Sequence, residues 1–126
     1  TVGDIMLTGN KIPFVKDNIT MKNALNIISN KGLGVLFVRK NKFTTGILTD
    51  GDIKRISQKN YDFQKIKIST VMKRNPISVE KDTLAAKALE IMNTNRITSL
   101  CVHNGKRKNI TIGVIHIHNI LNANIS

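Results

Sequence analysis

Apolar residues return along this chain in two periods, and together they lay out its elements. Met21, Ala24, Leu25 and Ile28 stand at i, i+3, i+4 and i+7, and Ala85, Ala88, Leu89 and Met92 repeat that spacing. Each set predicts an amphipathic helix with one buried stripe. Asn18 and Asp82 are placed to cap these helices at the N-terminus, and Gly32 suits a left-handed cap at the end of the first. An extended piece containing proline precedes each helix: Ile12-Pro13-Phe14-Val15 and Asn75-Pro76-Ile77-Ser78-Val79. Proline disfavours helix before it, so these read as first strands. A hairpin follows each helix. Val35 to Val38 turns through Lys40 to Thr45 into Gly46 to Leu48, and Leu100 to Val102 turns through Asn104-Gly105 into Ile112 to Ile115.

The two sets belong to an internal repeat. Val2-Gly3-Asp4-Ile5-Met6 and Ile68-Ser69-Thr70-Val71-Met72 open the halves with the same apolar spacing. From Val15 with Val79 to Val38 with Val102 the halves align without a gap, and the second hairpin loop is three residues longer. Residues 57–67 are mostly polar and read as a connector. The expected division is residues 1–59 as one unit with its lead-in, 60–67 as connector and 68–126 as the second unit. Each unit is strand, helix, strand, strand, helix, which makes the fold mixed α/β (α+β). Halves this small bury little surface, so a pseudo-two-fold pair with a cleft near the ends of the hairpins is expected.

At those ends lies the chain's most distinctive pattern. Gly46-Ile47-Leu48-Thr49-Asp50-Gly51-Asp52-Ile53-Lys54-Arg55 recurs as Gly113-Val114-Ile115-His116-Ile117-His118-Asn119-Ile120, with His116 for Thr49 and Asn119 for Asp52. In both copies an apolar run breaks at a hydrogen-bonding residue, and an apolar pair follows, Ile53 with Ile56 or Ile120 with Ala123. That is a strand running into a helix. The first backbone N–H groups of such a helix lack internal partners and its dipole favours negative charge, so a phosphate can sit there. A carboxylate three residues on can accept hydrogen bonds from sugar hydroxyls. Thr-x-x-Asp before an apolar helix is equally a capping box, in which the two residues satisfy each other's backbone donors. From the residues alone both readings stand.

Composition narrows the partners. Twenty Lys and Arg against eight Asp and Glu give a net charge of +12, so an anionic partner is plausible. The charge is scattered without a run of five. Aromatic residues are 4% with no Trp, which counts against a base-stacking platform and against nucleic acid as partner. Cys101 lies in an apolar run and reads as an inert core residue. No apolar stretch reaches membrane-spanning length, and no signal-like start is present, so a cytoplasmic setting and no membrane partner are expected. A chain opening at Thr1 without methionine is expected to be a piece of something longer.

Other chemistry is poorly supported. His116 and His118 share a strand face and His103 could join them, yet no Cys, Asp or Glu at convincing spacing completes a metal site. Asp50-Gly51-Asp52 lacks the later ligands of a calcium loop. Gly32-Leu33-Gly34 lacks a third glycine and runs into a strand, so it is not a dinucleotide fingerprint. Lys54 and Arg55 could reach a phosphate, as could Lys73 and Arg74 from across the cleft. No nucleophile, base and orienting group stand together; the chain as given is expected to be regulatory rather than catalytic, with no required cofactor and no metal.

The two glycine-to-isoleucine junctions resemble those of a tandem CBS-domain pair, or Bateman module, and the resemblance covers essentially the whole chain. Together with Val2-Gly3-Asp4-Ile5-Met6 through Ile12-Pro13 and Ile97-Thr98-Ser99-Leu100, they most resemble the C-terminal CBS region of bacterial arabinose 5-phosphate isomerases. That family implies an N-terminal sugar isomerase (SIS) domain, absent here, which interconverts ribulose 5-phosphate and arabinose 5-phosphate for synthesis of Kdo and lipopolysaccharide. It implies a nucleotide held by Thr49 and Asp52, with His116 and Asn119 at the matching positions of the second junction; Lys54 and Arg55, which follow Asp52, are expected as further contacts, and a homodimer of pairs is expected. A cytidine-linked Kdo end product or an adenine nucleotide is the expected effector. Asn119 departs from the aspartate usual in those isomerases, so the first junction is expected to be the stronger contact. Oligomerisation without a ligand is the alternative role.

Overall fold

A computed structural model describes residues 1–59 and 62–125. In chain order the first repeat gives α1 (Val2–Ile5), β1 (Phe14–Lys16), α2 (Met21–Lys31), β2 (Val35–Lys40), β3 (Phe43–Thr49) and α3 (Asp50–Ser57). The second gives β4 (Lys73–Arg74), β5 (Ser78–Glu80), α4 (Ala85–Asn95), β6 (Ser99–His103), β7 (Gly113–His116) and α5 (Ile117–Ile125). The fold is mixed α/β, with two sheets and five helices among the described residues.

Two compact units form, Pro13–Pro76 and Thr1–Ile12 with Ile77–Ser126. In the first, β1 runs parallel to β2, β3 folds back antiparallel on β2, and β4 closes the edge beside β3. A parallel pair needs a crossover, and α2 supplies it. Its stripe of Met21, Ala24 and Ile28 packs with Val15, Leu36, Val38, Leu48, Ile53 and Ile68. In the second unit β5 pairs parallel with β6 and β6 antiparallel with β7. Its core holds Val79, Ala88, Met92, Leu100, Val102, Ile115, Ile120 and Val2. The gapless alignment of the halves reappears as register: Val15 lies beside Val38, and Val79 beside Val102.

In the folded chain each lead-in groups apart from the repeat that it opens in sequence. Each packs in the unit that contains the other repeat's sheet. Val2 is fully buried in the core with β5, β6 and β7, and Ile68 is fully buried in the core with β1, β2 and β3. Burying a side chain of that size contributes about 1.5–3 kcal/mol, so each anchors its segment. Leu7 and Val114 exchange two backbone hydrogen bonds (2.8 and 3.0 Å), while Lys73 and Arg74 pair with Ile47 and Gly46. Asn60 and Tyr61, the first residues of the expected connector, lie outside the described residues, as does Ser126. The remainder of the connector is docked rather than loose. Phe63 packs against the first unit's core, and the Ile66 carbonyl accepts the Met21 N–H at 2.7 Å.

Asn18 and Asp82 are not the N-caps. Thr20 caps α2, accepting the Asn23 N–H at 3.5 Å, and the N-cap position of α4 is Leu84, which makes no side-chain cap hydrogen bond. The reason is local: residues 17 and 18 form a turn on Lys16 and Arg39, and residues 81 and 82 form a turn closed by the Thr83 N–H on the Glu80 carbonyl at 2.9 Å. Gly32 does close α2 in the left-handed conformation (φ 73°). At the matching place Arg96 closes α4 with φ 54°. The first hairpin is also longer than its apolar run, with β2 and β3 continuing to a tight turn at Asn41 and Lys42.

Candidate functional site

At the first junction β3 ends on Thr49, which is both the last sheet residue, paired with Val35, and the N-cap of α3. The Asp52 N–H donates to Thr49 Oγ1 at 3.1 Å, and the Thr49 N–H donates to Asp52 Oδ2 at 3.1 Å. The capping box is therefore complete. The Asp50 N–H is taken by the Gly34 carbonyl at 3.0 Å. Of the three first-turn amides, that of Gly51 has no such partner among the described residues.

Asp52 is 4% exposed, and a carboxylate that deep must be paired. Its Oδ1 meets Arg55 Nη2, one turn along α3, and Lys73 Nζ at 3.3 Å from β4. Burial pushes its pKa up. The hydrogen bonds from Thr49 and the charge and hydrogen bond of Lys73 outweigh that, holding it below its ordinary 3.8. Asp52, Arg55, Ile56, Lys59, Val71 and Lys73 line a cavity of about 360 Å³ lying wholly in this unit. Lys54 is exposed on α3 and does not line it. Lys73 reaches Asp52 within one unit, not from across a cleft. Its pairing could be foreseen only by knowing that the second lead-in folds beside β3.

The second junction copies the first in neutral groups. His116 ends β7 and caps α5, and its N–H donates to Asn119 Oδ1 at 2.7 Å, as Thr49 does to Asp52. His116 Nδ1 accepts the His118 N–H at 3.1 Å, and the Thr98 carbonyl accepts the Ile117 N–H at 2.8 Å. The His116 and His118 rings lie 4.5 Å apart. Directly across the sheet from His116 is Ser99, whose buried Oγ has no hydrogen-bond partner among the described residues. Reading apolar runs passes over such a residue, because a serine opening a strand carries no periodic signal.

His103 is not near this pair. It ends β6 while Ser99, opposite His116, begins it, and four residues of strand span about 13 Å. His103 Nδ1 instead meets Ser78 Oγ at 2.6 Å. Among the described residues no three His, Cys, Asp or Glu side chains gather as metal ligands. No helix of the described residues is long and apolar enough to cross a membrane.

Two sheets, each capped at its last hairpin strand by a helix bearing a short polar residue at its third position, define a pair of like modules. The chain belongs to the CBS domain family, whose model matches residues 2–59 and 68–126 and so covers both repeats. It is similar to the arabinose 5-phosphate isomerase KdsD of Escherichia coli (strain K12), with 36% identity over 98% of this chain and 37% of that protein. The Francisella tularensis KdsD is 38% identical over 95% of this chain and 36% of its own length. The chain thus spans little more than a third of the curated relatives it matches. Among solved structures, CBSX2 in complex with AMP has a TM-score of 0.86 at 21% identity, covering 99% of this chain and 96% of that one. Protein MJ1225 from Methanocaldococcus jannaschii has a TM-score of 0.87 at 19% identity, covering 97% and 46%. At those identities the likeness is one of fold.

Proposed function

We propose that this chain is the regulatory, nucleotide-sensing CBS pair of an arabinose 5-phosphate isomerase, and that an SIS domain in the same parent protein carries the isomerisation of ribulose 5-phosphate and arabinose 5-phosphate in the cytoplasm. What supports the parentage is similarity to KdsD along nearly the whole chain. What supports sensing is Asp52, a buried carboxylate beside an open first-turn amide and a cavity bearing three cations. Asp52 would take ribose hydroxyls, while the Gly51 amide, Arg55 and Lys73 would take phosphate. Thr49 holds Asp52 in place through the capping box. CMP-Kdo, the activated end product, and adenine nucleotides are the effectors to try. At the second junction His116 and Asn119 offer neutral groups, so weaker binding is expected there.

A second reading has its own support. The capping pairs of both junctions form without a ligand, and Leu84 and Leu121 are 66% and 45% exposed, as suits a pair that assists assembly of the parent enzyme into a homodimer. A thermal-shift series at fixed salt with CMP-Kdo, CMP, CDP, AMP, ADP, ATP and arabinose 5-phosphate separates the two. A ligand at 100 times its Kd adds about 2.7 kcal/mol, which raises Tm by several degrees in a domain this size. A shift with one nucleotide class supports sensing; no shift with any favours assembly.

A further inference from the structure

Asp52 has too few open positions to receive a sugar diol as it stands. A carboxylate offers about four acceptor positions. Oδ1 is used twice, by Arg55 and Lys73, and Oδ2 once, by the Thr49 N–H. One position is left, whereas two neighbouring hydroxyls would donate two hydrogen bonds. A protein group must therefore yield. The Thr49 N–H is fixed by the backbone, and Arg55 sits on the same helix one turn away. Lys73 comes from the two-residue strand β4 on a flexible stem whose side chain is 67% exposed, so it is the partner that can leave most easily.

Once Lys73 lets go, its ammonium remains at a cavity that already holds Arg55 and Lys59, with Ile56 and Val71 as apolar lining and no carboxylate but Asp52. We propose that this cavity is gated by charge: Lys73 occupies Asp52 until a ligand carrying two or more negative charges draws it onto its own anionic groups and frees Asp52 for the sugar. This rests on the nucleotide-sensing reading and adds to it a class of ligand, the nucleotide over its nucleoside, and a specificity residue that the junction motif does not contain.

The test is titration of the wild-type chain, Lys73→Met and Lys73→Arg with CMP, CDP, AMP and ADP by calorimetry, and with cytidine and adenosine by ligand-observed NMR. Lys42→Met, at the far hairpin turn, matches the change in net charge. Lys73→Met is expected to weaken the bound nucleotide about tenfold, with Lys73→Arg close to wild type and Lys42→Met unaffected. The nucleoside should bind Lys73→Met as well as wild type or up to about fivefold tighter, because its competitor is gone. A nucleoside that binds neither protein also agrees, since charge is then required. Unchanged nucleotide affinity in Lys73→Met, or parallel weakening of nucleotide and nucleoside, would overturn the gate and leave nucleotide sensing intact. No nucleotide binding to the wild-type chain would overturn both.

Discussion

Met72 lies against Gly46, its Cγ 2.8 Å from where a Cβ on that glycine would stand. Met6 stands in the same relation to Gly113, again at 2.8 Å. The two glycines that open the junction motifs are thus seats for the two lead-in methionines. Gly46→Ala is expected to cost about 1–3 kcal/mol by overpacking. Gly113→Ala should cost more, because its Cβ would also meet the Leu7 carbonyl at 3.0 Å, and that oxygen is held by the Val114 N–H. Urea midpoints of the two variants measure the order. A double variant with Met72→Ala should recover part of the Gly46→Ala loss.

The ionisation of Asp52 ties stability to acid. Its folded pKa lies below the ordinary 3.8, so its contribution is fully present above the unfolded value and disappears as pH falls through the folded one. Asp52→Asn should therefore be less stable than wild type at pH 7, and the gap should narrow steadily below about pH 4. Chemical unfolding at a series of pH values reads this directly. A gap independent of pH would mean that the hydrogen bonds, and not the charge, do the stabilising.

Asn119→Asp would turn the second junction into a charged copy of the first. The amide oxygen already accepts the His116 N–H, so a carboxylate inherits a formed geometry and adds an interaction with the helix N-terminus of about 0.3–1 kcal/mol. A rise in Tm at pH 7 that vanishes in acid is expected. Titration should also show stronger nucleotide binding at this junction.

The helix ends give a contrast between neighbours. Thr20→Ala should destabilise α2 by about 0.5 kcal/mol, the low end for a cap, given its long hydrogen bond, while Asn18→Ala should be close to neutral. Arg96→Gly should stabilise α4 by up to about 1 kcal/mol, because a left-handed φ is strained for a residue with a Cβ. Equal effects at Thr20 and Asn18 would place the start of α2 elsewhere.

Much of this molecule is written in short-range pattern. The stripes from Met21 to Ile28 and Ala85 to Met92, the strands beside them and the reciprocal cap of Thr49 and Asp52 each depend on side chains within one or two turns, and each forms. The common register of Val15 with Val38 and Val79 with Val102 likewise follows from a repeat that needs no insertion. Where the pattern misled, a nearby competitor won: Asn18 and Thr20 are both good caps, and only the turn on Arg39 settles which one starts the helix.

The rest belongs to tertiary structure. Val2 to Met6 and Ile68 to Met72 have the same apolar spacing, so either segment could fill either core, and nothing local distinguishes the two pairings. The folded chain seats Met6 on Gly113 and Met72 on Gly46. That choice in turn brings Lys73 to Asp52 across β3 and β4. The sequence by itself determined the junction and its cap, because both are contained in one strand end and the first turn of a helix. Which cation guards Asp52 was decided only when a segment twenty-one residues further along the chain found the sheet edge where its isoleucine and methionine could be buried.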